Sequence, residues 1–497
     1  MQVILNPSSI ASYRQFCQIK QLPVFNIRGR LAEFPDEYAS QIGIEAPPLS
    51  VIDYEPPEWM FDYQSAITKI ACQKRKFAVF ADCGLGKTQI LLDFAKYAAS
   101  NTSKRILIVS PLMVVPQTVG EAAAFYDDYS IDVVASKNLQ LWLDGNYGTS
   151  QIGITNYEAI RDELTGGNSG GIVLDESSML KSHYGKWGTK LIELGKGCDW
   201  KLCLTGTPAP NDRIEYANHA VFLDQFSTVN AFLATFFVNR GQTDGRWELK
   251  PHALKPFYRA LSHWSIFLTN PATYGWSDNT ESIPPIHVHI HEVEMTAEQR
   301  AIMRAYNGQL FATDAGGITT RSVYGQLGKG FYKGRRVDTN KPAYIQGLVN
   351  GWREDESTLI WCIYNDEQKL MSQTFPDAAS LTGTTAQPVR QKAINEFKSG
   401  SIRELISKPK ILGFGLNLQV ATRHVFSGLQ DSYESYYQCI KRSNRYGSKF
   451  PLNVHIPVTE VEEPMVQNVL RKAERVQSDT EEQERIFKES SQWAGEY

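Results

Sequence analysis

The sequence predicts an α/β protein made of two parallel-sheet lobes in tandem, with a helical insertion and a small N-terminal appendage. Three observations carry that expectation. The 497 residues favour two to four domains over one. Short apolar runs rich in β-branched residues recur between helical patterns from residue 77 to 207, and a second such series runs from 358 to 459.

Taken in chain order, residues 1–58 carry their own prolines, including Pro47, Pro48, Pro56 and Pro57, and end before the first strong motif. They form the appendage. The first lobe, 59–285, contains the runs FAVFA, RILIVSP, IDVVAS, QIGITNY, GGIVLDE and WKLCLTGT. Each is too short for a typical helix, which favours buried strands of a parallel sheet. Within that lobe, about 212–285 is aromatic-rich with helical spacing (VFLDQFSTVNAFLATFFVNR, then HALKPFYRALSHWSIFLTN) and reads as an insertion, not another repeat of the sheet. A connector, 286–340, opens in the Pro-containing extended stretch ESIPPIHVHIHEVEM. The second lobe, 341–497, brings TLIWCIYN, AASLTG, ELISKP, RHVFSG and NVHIPVT, and closes in a charged helical pattern from Glu462.

Composition excludes several classes. Hydrophobic residues at 42% and charged residues at 21% are those of a globular chain with a sizeable core, not a disordered or collagen-like one. Lys and Arg number 51 against 54 Asp and Glu, a net charge of −3, so any nucleic-acid surface must be local. The seven cysteines are scattered without a CxxC pair, which argues against a disulfide framework or zinc ribbon. With no signal-like N-terminus and no long apolar run, the expectation is a reducing, cytoplasmic location and no membrane partner.

The strongest local signal is ADCGLGKT, residues 81–88, between the apolar run FAVFA and the helical pattern QILLDFAKYA. That is the strand, loop, helix context of a phosphate cradle. Gly84 and Gly86 let backbone N–H groups approach phosphates, Lys87 would reach the β and γ phosphates, and Thr88 would offer its hydroxyl to Mg2+. Leu85 and Gln89 complete the nucleotide-contacting stretch. Ala81 stands where the strict pattern has its first glycine and keeps a small residue at the turn. An acidic pair then ends the buried-looking run GGIVLDESS: Asp175 would hold the metal and Glu176 would polarise the hydrolytic water. Alone such a pair is usually a solvated loop; in the same sheet as a phosphate cradle it reads as the other half of an ATP site.

Besides ADCGLGKT and DESS, the chain carries SPLMVVPQT, ITNYEAI, LTGTPAPN, GFGLNLQVATRHVF and QCIKRSNRYG. In this order, over roughly residues 59 to 475, they resemble the motifs of superfamily two helicases, and closely those of the Swi/Snf-like DNA translocases. LTGTP resembles that branch's third motif. MTAEQRAIMRAY resembles its connector helix, with Gln299 and Tyr306, and NKPAYIQ its second-lobe entry, with Lys341. The resemblance implies two RecA-like lobes, an ATP-dependent motor that moves along DNA in the 3′ to 5′ sense, ATP and Mg2+ as cofactors, and duplex or single-stranded DNA as partner. It also fits a compact microbial or viral motor that needs no oligomer, works in a bacterial or phage-infected cytoplasm and serves replication or recombination proteins.

Residue by residue, the resemblance puts Gln64, in FDYQ, at the adenine-reading glutamine, and Gly415 among the nucleotide contacts. Arg442 and Arg445, three apart on a predicted helix, become arginine fingers that supply cation density to the transferring phosphoryl group when the lobes close. Ser110, Thr155, Asn156 and Thr382 become contacts to the DNA backbone, which a motor must grip without base readout. The chain departs from the family in three places: Ser178 replaces the histidine of DEAH, SGLQDSYESYYQ stands in place of a Trp-Asn-Pro stretch, and SHWSIFLTN lacks an arginine pair. Rival readings are a strand-separating DNA or RNA helicase, and a non-hydrolysing scaffold that clamps nucleic acid. The intact Lys87, Asp175, Glu176, Arg442 and Arg445 set argues against the scaffold, which has no need of a water-activating acid. His287, His289 and His291 alternate along a predicted strand and imitate a metal site, but a polar strand face explains them better. Lys333, Arg335 and Arg336 form a local basic cluster, read as a solvated face. Cys83 lies in the loop with no role for its side chain.

Overall fold

A computed structural model describes the chain except for residues 1, 23–24, 35, 46–50, 181–185, 211, 241–246, 278–282, 311–317, 413–415, 430–431 and 491–497. It divides into two compact units, residues 1–278 with 480–497, and residues 279–479.

The N-terminal segment forms a three-stranded antiparallel sheet in which Leu31–Glu33 lies between Gln2–Ile4 and Asn26–Arg28. The Ser9 hydroxyl caps the helix Ile10–Ile19. Leu5, Ile19, Leu22, Ala32, Phe34, Tyr38 and Ile42 close a small core of their own.

The main sheet of the first unit has seven strands: β1 (Lys76–Ala81), β2 (Arg105–Ser110), β3 (Ile131–Val133), β4 (Ile152–Asn156), β5 (Ser169–Asp175), β6 (Trp200–Leu204) and β7 (Ser265–Leu268). Their order is β7-β1-β6-β5-β2-β4-β3, and every pairing is parallel. All seven residues of β5 are buried, as a strand packed on both faces requires. The expected α/β lobe is thus present, with one correction to its insertion. Helices Tyr216–Phe222, Val229–Phe236 and Leu254–Ser262 are there, but SIFL, read within a helical pattern, is β7 at the sheet edge. A short apolar run suits either state, and here the sheet decides: the Ala78 N–H donates to the Trp264 carbonyl at 2.8 Å and the Asp82 N–H to the Leu268 carbonyl at 2.8 Å.

The second unit holds β8 (Ile286–Glu292), β9 (Ser357–Trp361), β10 (Ala379–Ser380), β11 (Glu404–Ser407), β12 (Ala421–Phe426) and β13 (Leu452–Val458). They form one parallel sheet in the order β8-β13-β12-β9-β11-β10. The opening strand of the connector is therefore the edge strand of this sheet. Its histidines meet the next strand: His289 Nε2 lies 3.1 Å from Asn453 Oδ1, and His291 Nε2 lies 3.0 Å from His455 Nδ1. Arg335 and Arg336 sit exposed on a two-stranded hairpin with Phe331–Tyr332. The last helix, Glu463–Ser490, follows the second sheet in sequence, and its residues from Thr480 on belong to the first unit, where Phe487 packs 5.6 Å from Phe267. Among the described residues, no helix is long and apolar enough to cross a membrane.

Candidate nucleotide site

Because β1, β6, β5 and β2 are parallel neighbours, their carboxyl ends lie along one edge of the sheet. The residues singled out from sequence gather there. The loop after β1 turns through Gly84 at φ 90° and Gly86 at φ 68°, then enters the helix α1 (Lys87–Ser100). Gly86 has two reasons to be glycine: its φ is left-handed, and a Cβ there would meet Gln64 Nε2 at 1.9 Å. Lys87 opens α1 and folds back over the loop, its Nζ donating to the Ala81 carbonyl at 2.8 Å and the Asp82 carbonyl at 3.1 Å. Thr88 follows in the first turn, and Gln89 Nε2 donates to Glu121 Oε2 at 3.2 Å.

Gln64 is buried in the helix Asp62–Lys74 and braces this loop. Its Oε1 accepts from the Phe61 N–H at 3.1 Å and its Nε2 donates to the Leu85 carbonyl at 3.4 Å, which also takes the Tyr63 hydroxyl at 3.2 Å. An adenine read by Gln64 must exchange with these contacts.

At the end of β5, Asp175 is buried and accepts from the Ser110 hydroxyl at 2.7 Å, while its carbonyl accepts from the Tyr157 hydroxyl at 2.6 Å. Burial and the neighbouring Glu176 charge push the Asp175 carboxyl up to about 6, against the pull of Ser110 and Lys87. Glu176 leaves the strand in a left-handed conformation, φ 51°, which is costly for a side chain of its kind. Its Oε2 accepts from the Thr205 hydroxyl, 3.3 Å away at the end of β6, and the Thr207 N–H fixes that hydroxyl at 3.1 Å.

These groups suit a magnesium nucleotide. A glycine turn opens a helix N-terminus, a lysine sits over it on carbonyls it can leave, and a hydroxyl and a buried carboxylate, with no lysine or arginine bonded to it among the described residues, provide hard oxygen ligands.

The remaining expected residues divide between this sheet edge and the second unit. Ser110 and Thr155 are buried, and their hydroxyls are taken by Asp175 and the Val134 carbonyl, at 2.7 and 2.8 Å. Their geometry makes them internal supports, not strand contacts. Asn156 Oδ1 accepts from the Ala159 N–H at 3.0 Å, and the Thr382 hydroxyl lies 3.0 Å from that of Thr384 in the second unit. Arg442 and Arg445 are in the second unit too, but not on a helix. The helix Tyr433–Ile440 stops before them and the chain continues in turns: the Arg442 N–H donates to the Cys439 carbonyl at 3.2 Å, and the Arg442 carbonyl accepts from the Leu418 N–H at 2.9 Å instead of from a following turn of helix. Arg442 is buried, with NH1 3.5 Å from the Leu416 carbonyl, whereas Arg445 is half-exposed. Gly415 lies outside the described residues. The residues that reading the sequence missed are Thr205 and Tyr157, both inside motifs it had marked, LTGTP and ITNYEAI.

Residues 58–334 match the SNF2-related domain and residues 340–447 the helicase conserved C-terminal domain. The protein p41 of Acyrthosiphon pisum secondary endosymbiont phage 1 is 28% identical over 417 residues, covering 76% of this chain and 87% of p41. The SWI2/SNF2 ATPase core of Sulfolobus solfataricus, solved in complex with dsDNA, superposes with a TM-score of 0.40 at 19% identity, over 84% of this chain and 92% of that one.

Proposed function

This chain belongs to the SNF2-related domain family, and from that premise we propose that it is a motor that couples ATP hydrolysis to movement along DNA. It is a helicase-type, nucleic-acid-dependent ATPase. The observation that supports the motor reading best is the pairing of an acidic pair on β5 with a phosphate loop on β1 of the same sheet, in a chain whose second half matches a helicase domain. ATP with Mg2+ supplies the phosphoanhydride whose hydrolysis drives the cycle. The chain's own groups divide the work. Gly84, Leu85, Gly86 and Lys87 hold the phosphates, Thr88 and Asp175 hold the metal, and Gln64 selects adenine, with Gln89 lining the same site. Glu176, anchored by Thr205, orients water and takes its proton. Arg442 and Arg445 bring positive charge to the phosphoryl group in the transition state.

On the nucleic-acid side, the duplex backbone is gripped at Asn156 and Thr382, and Ser110 and Thr155 support the loops from beneath. The setting we propose is the cytoplasm of a bacterium or phage-infected cell, alongside replication or recombination proteins. Purified protein is expected to hydrolyse ATP faster when DNA is added and to displace a triplex-forming strand from duplex DNA, with less effect on forked substrates. Hydrolysis indifferent to every nucleic acid would sink the motor reading; efficient fork opening without triplex displacement would assign strand separation instead.

A further inference from the structure

The turn that carries Glu176 is held by a helix that no phosphate-site motif includes. Ser177 and His219 are both buried, and Ser177 Oγ lies 3.0 Å from His219 Nε2. His219 sits in the helix Tyr216–Phe222, with Nδ1 3.4 Å from the Glu215 carbonyl, and its ring stands edge-on to Phe80 of β1 at 5.4 Å between centroids. One residue earlier, the Asn218 amide donates to the Leu180 carbonyl at 2.6 Å. The helix therefore grips both ends of the short turn Ser177–Leu180, immediately after Glu176. Burial keeps the imidazole neutral by pushing it down to about 4, so it works as a fixed hydrogen-bonding group.

A left-handed glutamate persists only where its surroundings over-determine it. On one side of Glu176, Thr205 holds the carboxylate; on the other, His219 holds the next residue. Ser178, where the family motif has histidine, is buried beside this pair. We infer that His219, through Ser177, is a positioning residue for hydrolysis: it fixes the backbone that aims the Glu176 carboxylate at water. The inference rests on the proposed role of Glu176, and a change at His219 is expected to act on turnover and not on nucleotide binding.

The test uses the full chain and reads kcat and KM for ATP, with and without DNA, beside melting temperature. Ser177→Ala and His219→Leu are each expected to lower kcat about tenfold with KM for ATP within about twofold. Because they break one shared contact, the double variant should be no worse than about tenfold. His219→Gln, whose amide reaches as far as Nε2, should regain most of the turnover. Losses that multiply to about a hundredfold, a normal kcat in Ser177→Ala, or an effect confined to KM or melting would overturn the inference. If His219→Leu does not fold, Ser177→Ala and His219→Gln still decide it. Glu176→Gln run alongside separates the premises: near-normal turnover there removes Glu176 from its role and takes this inference with it. Absent DNA stimulation in the parent protein defeats only the motor reading, since kcat without DNA still measures the pair.

Discussion

A carboxylate shut inside a sheet costs the fold that carries it, and Asp175 shows what the site demands of its host. Its carboxyl is raised from 3.8 to about 6 by burial and by Glu176. A raised acid contributes stability that is complete below its unfolded value near 3.8 and is lost as pH rises through about 6, so at neutral pH the ionised group strains the nucleotide-free protein. Asp175→Asn should therefore melt higher than the parent at pH 7.5 without nucleotide, by the equivalent of ~2 kcal/mol. The gap should shrink as pH is lowered towards 4, while stabilisation by ATP and Mg2+ is lost. A variant that melts lower at every pH would contradict this account. At this scale the sequence was legible where the chemistry is contiguous. Gly84, Gly86, Lys87 and Thr88 share one turn, so spacing alone announces them. Thr205 reaches Glu176 and His219 reaches the adjoining Ser177 through space, from a different strand end and a different helix, and no local pattern records those meetings.

Elements are set by what buries them, and the second unit has a charged example. Lys329 Nζ and Lys341 Nζ lie 2.8 and 2.6 Å from the two Glu462 oxygens, with all three side chains buried. Lys329 also donates to the Gly325 carbonyl at 2.9 Å, Lys341 to the Ser427 carbonyl at 2.6 Å, and the Thr459 hydroxyl to Glu462 Oε2 at 2.6 Å. Gly428 makes room, since a Cβ there would meet Lys329 Nζ at 2.3 Å. Burial pushes the Glu462 carboxyl up, but the two ammonium groups outweigh it and hold it down to about 2. Its stabilising contribution is thus full above the unfolded value near 4.5 and is lost as pH falls towards 2. Glu462→Gln leaves two buried ammonium groups without their counter-charge and should cost ~3–5 kcal/mol in chemical denaturation at neutral pH. A cost under about 1 kcal/mol would show that water reaches the lysines. Lys341 was legible from its place in a family motif; Lys329 and Glu462 were not, because an ion trio assembled from a helix end, a helix start and the approach to the last helix has no spacing to read. The same physics explains β7 and the arginine turn: apolar spacing leaves strand and helix open for SIFL, and the Arg442 carbonyl is taken by the Leu418 N–H, a partner distant in sequence.

For the whole molecule, a net charge of −3 first seems to speak against a nucleic-acid partner. A motor must release the backbone at each step, and salt-dependent affinity grows with every phosphate neutralised, so a chain with few local contacts suits stepping better than a uniformly basic one. The division of labour between the two units gives this a sharper test. Gln64, Lys87, Thr88 and Asp175, proposed to bind the nucleotide, all belong to the first unit, whereas Arg442 and Arg445 belong to the second. Binding and turnover should then be separable by mutation. Arg445 is the cleaner probe, since Arg442 is buried and its loss would also disturb the contact with Leu416. Arg445→Ala is expected to lower kcat by about 10³-fold, the low end of the range for a lost arginine finger, while the dissociation constant for ATP stays within about twofold. Lys87→Ala should instead weaken ATP binding itself. If Arg445→Ala loses affinity and keeps its kcat, the second unit helps to hold ATP and the transition-state charge must come from the first.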